Sequence, residues 1–372
     1  MQVEVKEVAN RRELKAFIHL PARIHRDHQR WVPPIYADER RFFNPKTNRA
    51  FAHCDTTLAL AYRNNSLSGR IMGIANRRYN ELRNERTARF GYLECFEHQE
   101  VAHALLDYVE DWARKKGMNK IVGPMGFTDQ DAEGFLVEGF DSEPTIATYY
   151  NFEYMIQFLE SKGYRKEVDY VVYKVDVPET IPEFYERIHE RISRRSEFTL
   201  LEFTRRKALK PYVRPALSLM NETFQDLYGF VPLDDEQMAH LAKRYLPVID
   251  PRFAKIVTRG DETVAFVLGI PNIDEGLRKA KGRLLPLGIF KIMRAARKAR
   301  QLDLLLGAIK EEYRGRGLDV LMGIAMIRSA NSAGFEYVDS HHELETNMSV
   351  RAEMERLGGQ VHKRYRIFQK QL

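Results

Sequence analysis

Cysteine is scarce in this 372-residue sequence, which holds only Cys54 and Cys95. Two thiols exclude a disulfide framework and a four-thiolate zinc site, and neither lies in a Cys-x-x-Cys pair. Both are expected as packed thiols; His53 beside Cys54 does not make a nucleophilic pair, because neighbours along a strand point to opposite faces. Long apolar runs are missing too. No stretch of roughly eighteen apolar residues occurs, and Met1-Gln2-Val3-Glu4-Val5-Lys6-Glu7 carries acids where a secretory signal needs a basic and then an apolar region. The expectation is a cytoplasmic protein with no membrane span. A large charge imbalance is also absent: 59 bases against 52 acids leave +7, too mild an excess to point by itself to a polyanionic partner. His25 and His28 lack the third ligand or glutamate that marks a zinc helix, so no metal site is expected.

What is present fits ordinary globular cores. A chain of this length is more than one core usually organises, and 44% of it is hydrophobic, so two domains are expected. Val3 to Val8 alternates like a strand, and Asn10 with Glu13 supplies a helix start. The piece from His25 to Phe51, with Trp31, Pro33, Pro34 and Pro45, reads as a loop laying rings over an opening. Strands follow at 57–62, 68–75, 88–96 and 120–124, with an amphipathic helix from Val101 to Lys116. A helix from Phe152 to Lys162 and a strand from Tyr170 to Val175 complete an α/β unit.

The charged segment after Pro178 marks a boundary, beyond which the pattern restarts. Strand 200–204, helices 209–223 and 235–245, hairpin 253–269, strand 302–308, helix 320–333, strand 337–340, helix 350–357 and strand 365–368 repeat the order of the first half. Asn151 to Gly163 also matches Asn347 to Gly358 locally, which points to duplication of a whole domain. The expected organisation is a domain at 1–178, a linker helix at 179–198 and a second domain at 199–372.

The most informative stretch runs from Leu304 through Ile309 to Arg314-Gly315-Arg316-Gly317-Leu318-Asp319: a strand, a basic glycine-rich turn and a helix start. Glycines permit positive φ and close approach of backbone to an anion, and the free N–H groups of a helix N-terminus favour negative charge. The turn is thus a phosphate cradle by construction.

These residues resemble the Arg/Gln-x-x-Gly-x-Gly/Ala segment of the GNAT N-acetyltransferase superfamily, matching its arginine and first glycine, with Asp319 where that family carries a small residue. The resemblance implies an α/β fold of two tandem GNAT-like domains, each a mixed central sheet flanked by helices. It implies acetyl-coenzyme A or another acyl-coenzyme A as co-substrate, held by Ile309, Arg314, Gly315, Arg316, Gly317, Leu318 and Asn347. The family's tyrosine acid has no counterpart, since its position holds Met354 here and Phe158 in the first half. Phe96-Glu97-His98-Gln99-Glu100 stands where the first half's cradle belongs, without glycine and with two acids. Candidate bases just past the strand after the cradle helix are Asp339, His341, His342 and Glu345, with Glu343 beside them.

Two further segments stand out. Asp129 to Asp141 carries acids and glycines and reads as a surface insertion or an amine-receiving wall; it lacks the spacing of a calcium loop. Arg278 to Arg300 carries bases and no acid, with Leu287, Ile289, Ile292, Met293 and Ala296 expected on a side opposite the bases. A solvated face, a tRNA dock, an anionic membrane contact and guidance of coenzyme A are all compatible with it. The functional expectation is transfer of an acyl group, acetyl first, to a small-molecule or peptide amine. The alternatives are an aminoacyl-tRNA-dependent transferase and a non-catalytic ligand- or partner-binding protein on the same scaffold. The sequence leaves the oligomeric state open.

Overall fold

Alternating apolar and polar positions along residues 3–7, and near-continuous apolar runs at 58–62 and 71–75 that are buried on both faces, set up the first strands of one sheet that runs through the whole chain. The computed structural model describes residues 2–181, 183–193, 197–246 and 248–372. In chain order the strands are β1 (Val3–Glu7), β2 (Cys54–Arg63), β3 (Ser66–Asn76), β4 (Thr87–Cys95), β5 (Lys120–Gly123), β6 (Phe135–Glu138) and β7 (Arg165–Asp176). The second half adds β8 (Thr199–Glu202), β9 (Ala254–Arg259), β10 (Glu262–Pro271), β11 (Gln301–Ile309), β12 (Tyr337–Asp339), β13 (Glu343–Leu344) and β14 (Gln360–Gln371).

The spatial order is β1-β2-β3-β4-β5-β14-β7-β12-β11-β10-β9-β8, with β6 on β14 and β13 on β7. This order is a palindrome of the duplication. β1 to β5 match β8 to β12, and the closing strands β7 and β14 lie antiparallel side by side at the centre. Each closing strand also pairs with the other half, β14 with β5 and β7 with β12. The sheet therefore crosses the expected 179–198 boundary without a break. Of that linker, a helix at Glu183–Ser193 is described, while Pro182 and residues 194–196 lie outside the described residues.

Helices form where sequence caps and apolar spacing coincide. Asn10 caps Arg11–His19, its side chain accepting from the N–H groups of Arg12 and Glu13 at 3.0 Å, and Glu13 accepts from Ala9 N–H at 2.8 Å. The helix Gln99–Lys115 buries Val101, Ala102, Leu105, Leu106, Val109 and Ala113 on the first half's strands. Each of its larger apolar side chains contributes up to about 1.5–3 kcal/mol. Its counterpart in the second half is Leu318–Ser332, which buries Leu318, Leu321, Met322, Ile324, Ala325 and Met326.

Three expectations are corrected. The segment 25–51 is not a plain loop: it holds a helix at Tyr36–Phe42 and a 3-10 turn at Arg49–Ala52, because its rings pack into a core with Phe17, Phe43 and Phe127. The acidic run 129–141 is only partly on the surface; Glu133 is buried and β6 within the run pairs with β14, while Glu138 and Asp141 stay exposed. The basic run 278–300 forms the end of Asp274–Ala280, a turn, and Gly288–Ala296, and its Leu287, Ile289 and Met293 are exposed among the bases rather than set on a side opposite them.

Candidate functional site: an open splay beside a glycine turn

The expected cradle forms as strand, turn and helix. β11 ends at Ile309, a single 3-10 turn spans Glu311–Tyr313, and the helix starts at Leu318. Gly315 and Gly317 adopt φ of 73° and 84°, a region that costs other residues roughly 1–2 kcal/mol. No side chain caps the helix, so its first N–H groups are left to solvent or to a ligand. A Cβ on Gly315 would meet nothing within 4 Å. The buried Tyr313 ring braces the turn, with Arg316 above it at 5.2 Å and Arg259 donating to its hydroxyl at 2.9 Å. Arg314 is exposed and donates to its own Ile309 carbonyl at 3.3 Å.

Beside the cradle the sheet opens. β11 and β12 pair in parallel only from Gln301/Tyr337 to Asp303/Asp339, after which the chain leaves β11 and joins β7 through β13. Past this point Leu304, Leu305 and Leu306 of β11 are half-buried, Leu304 against the cluster of Phe253, Leu302 and Met326 and Leu306 against that of Phe230, Ile256 and Phe266. A register shift between β10 and β11 leaves Leu305 out of the ladder, because Leu306 pairs with Leu268 and Leu304 with Gly269. The first half has the same shift, since Arg70 pairs with Glu94 and Met72 with Gly91. There the opening is filled. Tyr149 hydroxyl takes the freed amide of Tyr92 at 3.4 Å, Met125 N–H bonds Phe90 carbonyl at 2.9 Å, and a Cβ on Gly91 would stand 2.6 Å from the Met125 carbonyl.

At the vertex of the open splay, Asp339 is fully buried. It accepts from Lys363 Nζ at 2.8 Å and Thr145 Oγ1 at 3.1 Å, and it meets His362 Nε2 at 3.1 Å. Burial alone would raise its pKa, but Lys363 and His362 hold the carboxyl well below the ordinary range. Its register partner Asp303 is pushed the other way, by burial and by the carboxylates of Asp339 and Asp274. Asp303 accepts from Ile146 N–H at 3.3 Å and Asn272 Nδ2 at 3.1 Å, while Lys363 also donates to the Glu143 carbonyl at 2.8 Å. The network pins residues 143–146 of the first half onto the second.

The other expected bases sit apart in role. His341, at φ 61°, meets the Ile146 carbonyl through Nε2 at 3.0 Å. His342 stacks on Tyr170, and its buried Nε2 has no hydrogen-bond partner. Burial lowers the pKa of both imidazoles and keeps them neutral. Glu345 is tied into ion pairs with Lys166 and with Arg364 at 3.3 Å. Glu343, by contrast, is pushed up to about 8 by burial and by Glu353, so it carries a proton at neutral pH. Glu353 itself is pushed up to about 7 by burial and by Asp319, which sets this pair of carboxyls beside the cradle helix. Asn347 caps the helix Met348–Arg356, its side chain accepting from Val350 N–H at 3.4 Å.

No family model matches the chain. It is 29% identical over 374 residues to a Caulobacter vibrioides protein named bacterial ceramide synthase, covering 97% of this chain and 95% of the relative. It is 23% identical over 375 residues to Protein YghO of Escherichia coli, covering 99% and 95%. Among solved structures, a tandem GNAT protein from the clavulanic acid biosynthesis pathway superposes with a TM-score of 0.56 at 13% identity, covering 100% of this chain and 98% of that one. A GCN5-related N-acetyltransferase from Sphaerobacter thermophilus gives a TM-score of 0.53 at 13% identity, covering 99% and 95%.

The chain has the tandem GNAT fold.

On this tandem GNAT fold the two halves differ as their loops do. The first half's turn carries Glu97 and Glu100, the latter bonded to Arg63 at 2.7 Å, and has no glycine to bring backbone to an anion. Sequence reasoning missed Lys363, His362 and Thr145, which lie far from the glycine turn in the chain, and Asp303, which sits on the strand leading into it. The closing strand gives no local signal, since Lys363 stands among His362, Arg364, Arg366 and Lys370 and only its burial in the fold sets it apart. Sequence reasoning also treated Asn151 and Asn347 as equivalent. Asn151 is instead buried and bonded to both the N–H and the carbonyl of Leu136, which holds β6.

Proposed function

We propose that this protein is an N-acyltransferase that joins the acyl group of an acyl-coenzyme A to the amine of a long-chain amino alcohol. The observation that carries the reading is the pairing of an uncapped helix N-terminus behind Gly315 and Gly317 with the split between β11 and β12, which begins at Asp303/Asp339 on the strand that leads to it. The turn offers N–H groups and two arginines to a pyrophosphate, and the split offers a gap between strands to a pantetheine arm and an acyl chain. The acceptor class rests on the full-length similarity to the Caulobacter protein named as a ceramide synthase, because a ceramide is the amide of a fatty acid with a long-chain amino alcohol.

In this reading coenzyme A lies along the splay with its pyrophosphate at Gly315 to Leu318, near Arg314 and Arg316. Leu305, left out of the ladder, offers a backbone amide to the thioester carbonyl. The amine nitrogen attacks that carbonyl carbon and the carbon–sulfur bond breaks. Protonated Glu343, which lies against Glu353 beside the cradle helix, gives a proton to the leaving thiolate, and the attacking nitrogen releases its own proton to solvent. Glu343 would thus do the work of the tyrosine that Met354 replaces. Asp339 and Glu345, bound in ion pairs, hold the site's walls rather than exchange protons.

The test is thiol release from long-chain acyl-coenzyme A with sphinganine, glucosamine and a lysine peptide as acceptors, with the amide identified by mass spectrometry. Amide formation with sphinganine alone is the expected result. Binding of the thioester without thiol release for any amine would instead favour a non-catalytic binder on this scaffold.

A further inference from the structure

The insertion between β10 and β11 carries an exposed face that the acyl-transfer site does not use. Leu285, Leu287, Ile289, Phe290 and Met293 are 80%, 62%, 45%, 65% and 49% exposed, half of the large apolar side chains that protrude among the described residues. Helix Gly288–Ala296 packs inward through Ile292 and Ala295 against Asp274–Ala280. A Cβ on Gly276 would stand 2.6 Å from the Ile292 Cα and 2.9 Å from the Ala295 Cβ. The opposite face therefore presents Phe290, Met293 and Arg297, three and four residues apart, with Arg294 and Lys298 beside them. The apolar residues are not hidden beneath the bases, as the sequence suggested, but stand among them on the outside. No acid occurs from Gly276 to Leu302.

Such a surface combines what an interfacial element needs: apolar side chains for the acyl boundary and bases for headgroup phosphates. A second copy is a poor occupant, since like faces would bring bases against bases. Nucleic acid is a poor one too, since aliphatic side chains give bases no ring to stack on and Phe290 is the patch's only aromatic. The patch also borders the site. Gly282 carbonyl accepts from Tyr36 N–H at 3.1 Å, and Arg278 reaches Glu143 at 2.9 Å, beside the segment that Asp339, Asp303 and Lys363 pin.

We propose that residues 284–298 form a docking surface for an anionic lipid bilayer, with Leu285, Leu287, Ile289, Phe290 and Met293 in the headgroup–acyl boundary and Arg294, Arg297 and Lys298 at the phosphates. The inference stands apart from the acyl-transfer reading, and its test reads no activity. Purified full-length protein is sedimented with vesicles of phosphatidylcholine alone and of phosphatidylcholine with phosphatidylglycerol, over a salt series. Binding to the anionic vesicles that weakens with salt is expected. Arg294→Glu/Arg297→Glu should lower the partition coefficient more than tenfold, at on the order of fivefold per unit charge. Phe290→Ser/Met293→Ser should lower it similarly at unchanged melting temperature, since both side chains are exposed. Absence of sedimentation with either vesicle, or binding that both double variants leave intact, overturns the proposal. So does a salt-sensitive RNA complex or a dimer that these variants abolish in the absence of any vesicle binding.

Discussion

Lys363→Met is the most demanding perturbation of the seam between the halves. Lys363 and Asp339 are both 0% exposed, and their contact at 2.8 Å is the shortest to that carboxylate. Removing the ammonium leaves a buried carboxylate with Thr145 Oγ1, His341 N–H and His362 near 3.1 Å and Gln301 Nε2 at 3.5 Å as its remaining partners. Breaking a buried pair from one side typically costs about 3–5 kcal/mol, because the surviving charge stays buried without compensation. The sign of the pH dependence follows from the depressed pKa. In the wild type, Asp339 contributes stability above the ordinary carboxylate value, and this is lost as pH falls through its lower folded value. In Lys363→Met the carboxyl can take up a proton, so the deficit should be largest near pH 7 and smaller near pH 4. Urea unfolding of wild type, Lys363→Met, Asp339→Asn and the double variant measures this, and the double variant should cost less than the sum of the singles. A cost below about 1 kcal/mol for Lys363→Met, or strict additivity, would refute the reasoning.

Other consequences follow from the same geometry. Glu343, raised to about 8 by burial and by Glu353, binds a proton in the folded state that an ordinary carboxyl has released, so wild-type stability should fall as pH rises from about 4.5 to 8. Glu343→Gln should flatten that slope in urea titrations at several pH values, and should lower turnover by about 10²-fold if the group protonates the thiolate. Asp319 lies in the first turn of the cradle helix, where its charge opposes a bound pyrophosphate. Asp319→Asn should tighten coenzyme A binding by roughly two- to fivefold in calorimetry, and more so at low salt. A fragment ending at residue 178 lacks β14 and so bares the edges of β5 and β7. In gel filtration it should self-associate more than the full chain does, and increasingly with concentration.

Local chemistry was legible in the sequence. The glycines at 315 and 317, the helix behind them (expected from 320, found from Leu318), the cap at Asn10 and the repeat between 151–163 and 347–358 announce themselves because propensity, capping and turn geometry act within a few residues. The repeat proves to be two helices that each end at a glycine of positive φ, Gly163 and Gly358, and then feed the two central strands. What stayed hidden depends on partners far apart in the chain. Nothing near Asp339 announces Lys363, and nothing near β7 says that its neighbour is β12 rather than a strand of its own half. The acids of 129–133 look like surface in isolation. They turn inward because Asp131 caps the turn below Phe127 at 2.8 Å and Glu133 lies against Tyr170. Leu285 to Met293 misled in the opposite direction: apolar spacing of helical period suggests a buried face, yet here Ile292 and the small Ala295 make the packed contact while Leu285, Leu287, Ile289, Phe290 and Met293 stand outside.

The measurement that bears most directly on the acyl-transfer reading is calorimetric titration of the full chain with acetyl-coenzyme A and with long-chain acyl-coenzyme A, for wild type and Arg314→Ala/Arg316→Ala. Both side chains are largely exposed, so the variant should keep its fold while losing two of the charges that face the turn. Saturable binding by the wild type, tightest for the long-chain thioester and weakened at least tenfold in the variant, is the predicted result. No heat with any thioester, or equal affinity in both proteins, would contradict it.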